Sequence, residues 1–205
     1  MIDQNRVVKC IAGAKSISLQ FRSDEVYSPE EDTFLLLNSA LAEAKSEDSV
    51  LEVGCGCGFI SRELAFRVES LLAADINPHA VRATKSKGIE VVRTDLFLGI
   101  RGTFDLILFN PPYLPTNAKE RNLQWINYAL DGGESGRETI DRFLKCLPDH
   151  LCYSGRGLLL ISSLTGLKEV QETAMNVGLA AKTVANVGCF FEQLYVLRLE
   201  VADKH

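Results

Sequence analysis

From Ser49 onward the chain alternates short apolar runs with amphipathic stretches, and this alternation constrains the fold more than any other feature. Val50-Leu51-Glu52-Val53 predicts a buried strand, followed by a glycine loop and a helix through Arg62 to Arg67. Leu71 to Asp75 predicts a second strand, with a helix from Pro78. Short parallel strands follow at Ile89 to Val92, Phe104 to Phe109 and Gly157 to Ser162, with a helix over Glu138 to Leu147 between the last two. Strands alternating with helices mark a doubly wound α/β sheet, because parallel neighbours need a crossover between them. The end differs. Ala180 to Val187 and Leu194 to Glu200 are strand-like and joined by the short link Gly188-Cys189-Phe190-Phe191, which permits only an antiparallel pair. The expected architecture is a doubly wound, seven-stranded, mostly parallel sheet with an antiparallel C-terminal strand pair.

Upstream, Arg6 to Phe21 alternates apolar residues with Gly and Ser and predicts a hairpin or two short strands. Ser28-Pro29-Glu30-Glu31-Asp32 predicts a helix start, with Ser as cap, Pro in the first turn and acids at the positive end of the dipole. Phe34, Leu35, Leu37, Ala40 and Leu41 continue it at helical spacing. The chain is expected to form a single domain over 1–205, with 1–28 as an N-terminal extension. Thr116 to Gly136 is the one long irregular stretch, the kind that tends to be functional or mobile.

Charge and cysteine usage narrow the function classes. A formal net charge of −5 disfavours a protein held mainly to nucleic-acid phosphates. No apolar run is long enough to span a bilayer, and no secretory signal is visible at the N-terminus. The 6 cysteines lack zinc-site spacing and disulfide-scaffold density, which favours reduced thiols in a cytoplasmic protein without a metal site.

Chemistry is expected where the strands end, since open α/β sheets place their sites at that edge. Asn110-Pro111-Pro112-Tyr113 follows the run Phe104 to Phe109. Two prolines stiffen the backbone and lack N–H groups, so this segment offers carbonyl oxygens beside an Asn amide and an aromatic face. It is built to accept hydrogen bonds from a planar NH2 group. Gly54-Cys55-Gly56-Cys57-Gly58 turns tightly after the first strand, although its spacing fits the dinucleotide fingerprint poorly. Asp75 ends the second strand where an acid would hold ribose hydroxyls. Asp95 can accept from an adenine amino group or serve a turn; Glu52 can hold the amino group of a methionine-like tail or cap a helix. Three acids and a glycine loop on one edge suit a zwitterionic cofactor with a cationic centre, S-adenosylmethionine, better than a pyrophosphate.

Together, Val26-Tyr27-Ser28-Pro29-Glu30-Glu31-Asp32-Thr33-Phe34-Leu35-Leu36, the glycine loop, Asp75-Ile76-Asn77-Pro78, Asp95-Leu96-Phe97 and Asn110 to Pro115 carry a resemblance. The chain resembles the Rossmann-like S-adenosylmethionine-dependent methyltransferases, and more closely the HemK-like glutamine methyltransferases of eukaryotic and archaeal type. The resemblance implies that Thr33, Glu52, Gly54, Asp75, Asp95 and Leu96 contact the cofactor, and that Asn110 contacts both cofactor and substrate. Cys55, Gly56, Gly58 and Ile76 join the cofactor set as parts of the matching motifs; Cys55 and Cys57 stand where Thr, Ser or other small residues are common, and small side chains are all the loop needs. It further implies methylation of the glutamine in the Gly-Gly-Gln motif of a translation termination factor, and a small zinc-ribbon activator as partner.

Asn110, Pro111 and Tyr113 are the expected catalytic residues, and Pro112 completes the substrate-binding segment. Hydrogen bonds from the amide NH2 to the Asn110 side chain and the Pro111 carbonyl would orient the nitrogen, with Tyr113 walling its plane. No strong base is needed before transfer. His79, His150 and His205 have no motif around them; Arg137 and Arg142 are expected to be solvated or salt-bridged, and Trp125 to anchor a loop. A DNA or RNA amino-methyltransferase would use the same tetrapeptide, although neither a target-recognition domain nor a basic groove is evident. A non-catalytic cofactor-binding scaffold is the reading from another class. An exposed third strand, Lys87 to Val92, is the expected docking edge for the activator.

Overall fold

Parallel strands buried on both faces need nearly continuous apolar sequence, and the centre of this sheet has it. The computed structural model describes residues 25–116 and 125–202. In chain order the elements are α1 (Glu31–Glu43), β1 (Ser49–Val53), α2 (Phe59–Leu64), β2 (Ser70–Asp75), α3 (Pro78–Ser86), β3 (Val91–Arg93) and β4 (Phe104–Phe109). They continue with α4 (Trp125–Tyr128), α5 (Glu138–Cys146), β5 (Leu151–Ser162), α6 (Leu167–Asn176), β6 (Leu179–Gly188) and β7 (Gln193–Val201). The 7-stranded sheet has the order β3-β2-β1-β4-β5-β7-β6, with β7 antiparallel to β5 and β6 and every other pairing parallel.

The period-two alternation of strand side chains divides the core into two layers. Leu51, Val53, Ile107, Phe109, Leu159 and Ile161 face α5 and α6, where Ile140, Phe143, Leu144, Val170 and Ala174 close the layer. Val50, Leu106, Leu108, Leu158 and Leu160 face α1 and α2, against Leu36, Leu37, Ala40, Ile60 and Leu64. Glu52 occupies the second face by parity, so a carboxylate stands where a core residue would otherwise be.

Several elements differ from the sequence expectation. Helix α1 begins at Glu31 with extended Glu30 in the cap position and no side-chain cap, so Ser28 and Pro29 lie outside it. The Tyr27 hydroxyl donates to Asp32, which carries the chain across that turn instead. Helix α2 covers Phe59–Leu64 and not Arg62 to Arg67, because it starts directly from left-handed Gly58. Strand β5 is 12 residues long and begins six positions before Gly157. Gly155 and Arg156 hid its first half: a Cβ on Gly155 would lie 2.7 Å from the Phe104 carbonyl oxygen, and a register shift opposite absorbs the irregularity. Helix α6 was not anticipated, since only Val170 and Ala174 on it are fully buried. Thr116 to Gly136 is not irregular throughout, as it contains α4. The expected hairpin over Arg6 to Phe21 and most of the 1–28 extension lie outside the described residues.

At the edge opposite the carboxyl ends of the parallel strands, Arg156 is buried and forms two bonds to Asp48, at 3.1 and 2.7 Å, and a third to the Asp105 carbonyl at 2.9 Å. Glu43 completes the cluster through its carbonyl and a 3.5 Å ion pair. Replacing the guanidinium strands the Asp48 carboxylate without its cation. Arg156→Met is therefore expected to cost about 3–5 kcal/mol and to lower the melting temperature by on the order of 10 °C, read by thermal circular dichroism.

Candidate active site

Three strands deliver the site. Val53 pairs with Ala74 on one side and Phe109 on the other, so Gly54, Asp75 and Asn110 leave the sheet at one level. Above them lies a cavity of about 530 Å³, within the range of small-molecule sites. Thr33, Glu52, Gly54, Cys55, Gly56, Asp75, Ile76, Asp95, Leu96 and Asn110 to Tyr113 all line it. Gly58 does not. It is the left-handed start of α2 (φ 72°), and a Cβ there would lie 2.6 Å from Thr84 Oγ1, so its lack of a side chain serves packing.

Asp75 organises the glycine loop. Its Oδ2 accepts the Gly56 N–H at 2.8 Å and its Oδ1 accepts the Asn77 N–H at 2.8 Å. Each oxygen retains a lone pair toward the cavity, which suits a vicinal diol. Asn77 caps α3 through His79 N–H, with Pro78 in the first turn, so the acid sits directly before a helix start. Glu52 is buried, with Ser61 as its hydrogen-bond partner; burial outweighs the Ser61 hydrogen bonds and the Lys87 charge and pushes its carboxyl from the ordinary 4.5 up to about 7. Burial also raises Asp75. Two carboxyls that resist ionisation on one wall form a site for a cation or for hydroxyl donors.

Asp95 is not free as a simple acceptor, because Arg142 Nη2 meets its Oδ2 at 2.6 Å. The adjacent Leu96, on the cavity wall, adopts φ 49°, a left-handed conformation that costs a non-glycine residue on the order of 1 kcal/mol. Cys55 turns inward against Ala73 and Ile89, with burial holding its thiol well above its ordinary value.

At Asn110, Nδ2 donates to Asp32 Oδ2 at 3.0 Å. Its Oδ1 is buried and is the one such side-chain polar atom without a partner among the described residues. Pro111 and Tyr113 continue the wall, and burial raises the Tyr113 phenol above its ordinary value. The tetrapeptide is braced from behind, where Leu114 N–H donates to Leu130 O at 3.1 Å and Gly132 N–H to Leu114 O at 2.9 Å. A Cβ on Gly136 would lie 2.6 Å from the Tyr113 carbonyl oxygen. The sequence signal for this brace is the Gly132, Gly133 and Gly136 cluster.

Other residues fall into place. Tyr27 and Asp32 line the cavity and were not assigned a role, although their motif had been noted. Trp125 lines it too, packed against Tyr128 at 5.2 Å between ring centroids. Arg137 donates to the Thr165 carbonyl at 2.8 Å. His150 stacks on Phe97 and lies outside the cavity, as does His79.

Comparison with known proteins decides what kind of cavity this is. The methyltransferase small domain family matches residues 24–127, the glycine loop, Asp75 and Asn110 included. The chain belongs to this family. It is 42% identical over 180 residues to a Methanocaldococcus jannaschii protein named as a protein N5-glutamine methyltransferase, covering 84% of this chain and 90% of the relative. It is 35% identical to the human methyltransferase HEMK2, covering 85% and 89%. These relatives place it in the archaeal and eukaryotic HemK-like branch. Among solved structures, a chain of the E. cuniculi Mtq2-Trm112 complex superposes with a TM-score of 0.72 at 28% identity, covering 87% of this chain and 99% of that one; the complex is described as methylating the eRF1 translation termination factor.

As a member of this methyltransferase family the chain uses S-adenosylmethionine, and the chemistry of the lining fits it: carboxylate acceptors at Asp75, a buried acid at Glu52 and an acceptor at Asn110 without a partner among the described residues. A cation seated at Glu52 must displace its proton. Cofactor affinity is therefore expected to weaken by up to about tenfold per pH unit below about 7, and Glu52→Gln to flatten that dependence while lowering affinity at pH 8, both read by titration calorimetry. Without ligand the sign reverses. The folded form holds the Glu52 proton more tightly than the unfolded form, so this group's contribution to stability falls as pH rises from 4.5 to about 7.

Proposed function

We propose that this chain methylates the side-chain amide nitrogen of the glutamine in the Gly-Gly-Gln motif of a translation termination factor. The observation that carries the reading is the buried, unpartnered Oδ1 of Asn110 on the cavity wall, next to a backbone that prolines have stripped of N–H donors. Asn110 Oδ1 and the Pro111 carbonyl can together accept two hydrogens, which matches a planar NH2 group. The E. cuniculi relative acts on eRF1, which names the protein that would present this group.

In this reading Asp75 holds the ribose hydroxyls, Glu52 the ammonium group and Asp95 the adenine amino group through its Oδ1, its Oδ2 being held by Arg142, with Thr33, Gly54, Gly56, Ile76 and Leu96 shaping the pocket between them. S-adenosylmethionine, when bound, supplies a methyl group activated by its sulfonium. A glutamine nitrogen is a weak nucleophile because its lone pair is delocalised into the carbonyl. Asn110 Oδ1 and the Pro111 carbonyl accept its two N–H bonds, aim the nitrogen and stabilise the charge that grows on those hydrogens. Tyr113 walls the amide plane. The methylated nitrogen is acidic and loses its extra proton to solvent afterwards, so no histidine is required.

Asn110→Ala is expected to leave the fold and most cofactor affinity intact and to lower turnover by on the order of a hundredfold, since the lost bond strengthens in the transition state. The decisive assay uses labelled cofactor with a Gly-Gly-Gln protein, its Gln→Ala variant and duplex DNA. Label in the first alone supports the proposal; label in DNA alone replaces it with an adenine-directed activity.

We also propose that a small zinc-ribbon activator adds a strand at β3, and that the enzyme works in the cytoplasm. Among the described residues strand β3 ends the sheet, pairs only with β2, and exposes Val92 and Arg93. An open apolar edge of this kind invites another chain. Co-expression followed by size-exclusion chromatography is expected to give a stable complex with higher methylation rate than the chain by itself. Absence of a complex, with full activity of the isolated chain, would overturn the partner while leaving the methyltransferase assignment standing.

A further inference from the structure

The Asn110 side chain can accept from a substrate NH2 group only if its amide is turned the right way. Rotated by half a turn, the same side chain would present two N–H donors to a donor, and the site would repel the group it must hold. Shape alone does not choose between these states, because the amide oxygen and nitrogen are nearly isosteric.

We infer that Asp32 makes the choice, acting as a positioning residue for methyl transfer by accepting the Asn110 Nδ2–H and so fixing Oδ1 toward the acceptor. Four observations support this. Asp32 Oδ2 meets Asn110 Nδ2 at 3.0 Å, although the two residues are 78 positions apart in the chain. The carboxylate is itself pinned: Oδ2 also accepts the Tyr27 hydroxyl at 3.1 Å, and Oδ1 accepts the Thr33 hydroxyl at 3.1 Å. Asp32 is buried in the first turn of α1, where the positive end of the helix dipole favours an anion. And Asn110 Oδ1, on the far side of the amide from that bond, is left buried without a partner.

A carboxylate has no hydrogen to give. Turning the Asn110 amide would therefore set a carbonyl oxygen against a charged oxygen at about 3 Å, with neither able to donate. Asparagine in place of Asp32 would lack this polarity. Its own amide can donate to Asn110 Oδ1 as readily as it accepts from Nδ2, so the turned state becomes available and part of the enzyme becomes unable to hold the acceptor. The inference rests on Asn110 accepting from the substrate, as proposed above.

The test is a double-mutant cycle on kcat, with cofactor affinity and melting temperature measured for each variant. Asp32→Asn is isosteric. It is expected to lower kcat by on the order of tenfold to a hundredfold while cofactor affinity changes by less than about threefold. In an Asn110→Ala background it is expected to change kcat by less than about twofold, because a residue that acts only through Asn110 has nothing left to position. Asp32→Glu is the second variant. It fits less well but still cannot donate, so it retains more kcat than Asp32→Asn, whereas a packing role ranks them in the opposite order. Additive effects in the cycle, that opposite order, or near-normal kcat in Asp32→Asn would each overturn the inference. The two readings fail separately: slow Asn110→Ala with normal Asp32→Asn removes Asp32 alone, whereas near-normal Asn110→Ala removes the proposed role of the tetrapeptide.

Discussion

The parallel pairing of β1 with β2 and β4 is the constraint on which the rest of the molecule depends. A shared register makes Val53, Ala74 and Phe109 neighbours across three strands, so the residues that follow them emerge together at one edge. A glycine, an aspartate and an asparagine from chain segments far apart become one wall. Because both faces of the sheet are covered by helices, the strand ends are where the buried interior opens, and the cavity forms there.

The two ends of the sheet treat buried charge in opposite ways. At one end Arg156 neutralises Asp48 through a bidentate contact, and Asp105 and Glu43 satisfy its remaining donors, so nothing is left over for a ligand. At the other end Glu52 and Asp75 line a cavity and are held by hydroxyl and backbone donors, the guanidinium of Arg142 being engaged with Asp95, and burial raises both. A charge cluster closed on itself serves the fold. An open one stores a preference for a cationic or hydroxyl-bearing guest, which is the electrostatic form that a cofactor site takes before its ligand arrives.

The same contrast explains the bracing around Asn110. Its amide nitrogen is committed to Asp32, and the backbone beyond it is held by Leu130 and Gly132 and approached closely by Gly136. The prolines supply stiffness, the glycines allow a second loop to pack directly on the first, and the one buried side-chain polar atom without a partner among the described residues is Asn110 Oδ1. Rigidity there is useful because orientation of the nucleophile, more than acid-base chemistry, limits transfer from an amide nitrogen.

Much of this was legible in the sequence, for identifiable reasons. Strong apolar runs identified the parallel strands, the short link at Gly188 to Phe191 forced the antiparallel pair, and strand-end motifs picked out many of the residues that line the cavity, Gly58 excepted and Tyr27, Asp32 and Trp125 missed. The failures lay where local pattern is weak: α6 carries too few apolar residues, β5 begins in Gly and Arg, and Ser28 resembled a cap that Tyr27 and Asp32 made unnecessary. What the sequence by itself determined was the set of strands and the chemistry at their ends, because periodicity and residue type are local properties. Only the tertiary structure decided that Arg142 would hold Asp95, that Arg156 would be buried with Asp48, and that Asp32 would meet Asn110. Those contacts join residues 47, 108 and 78 positions apart, and no local pattern encodes a hydrogen bond whose partners are brought together by the packing of a whole sheet.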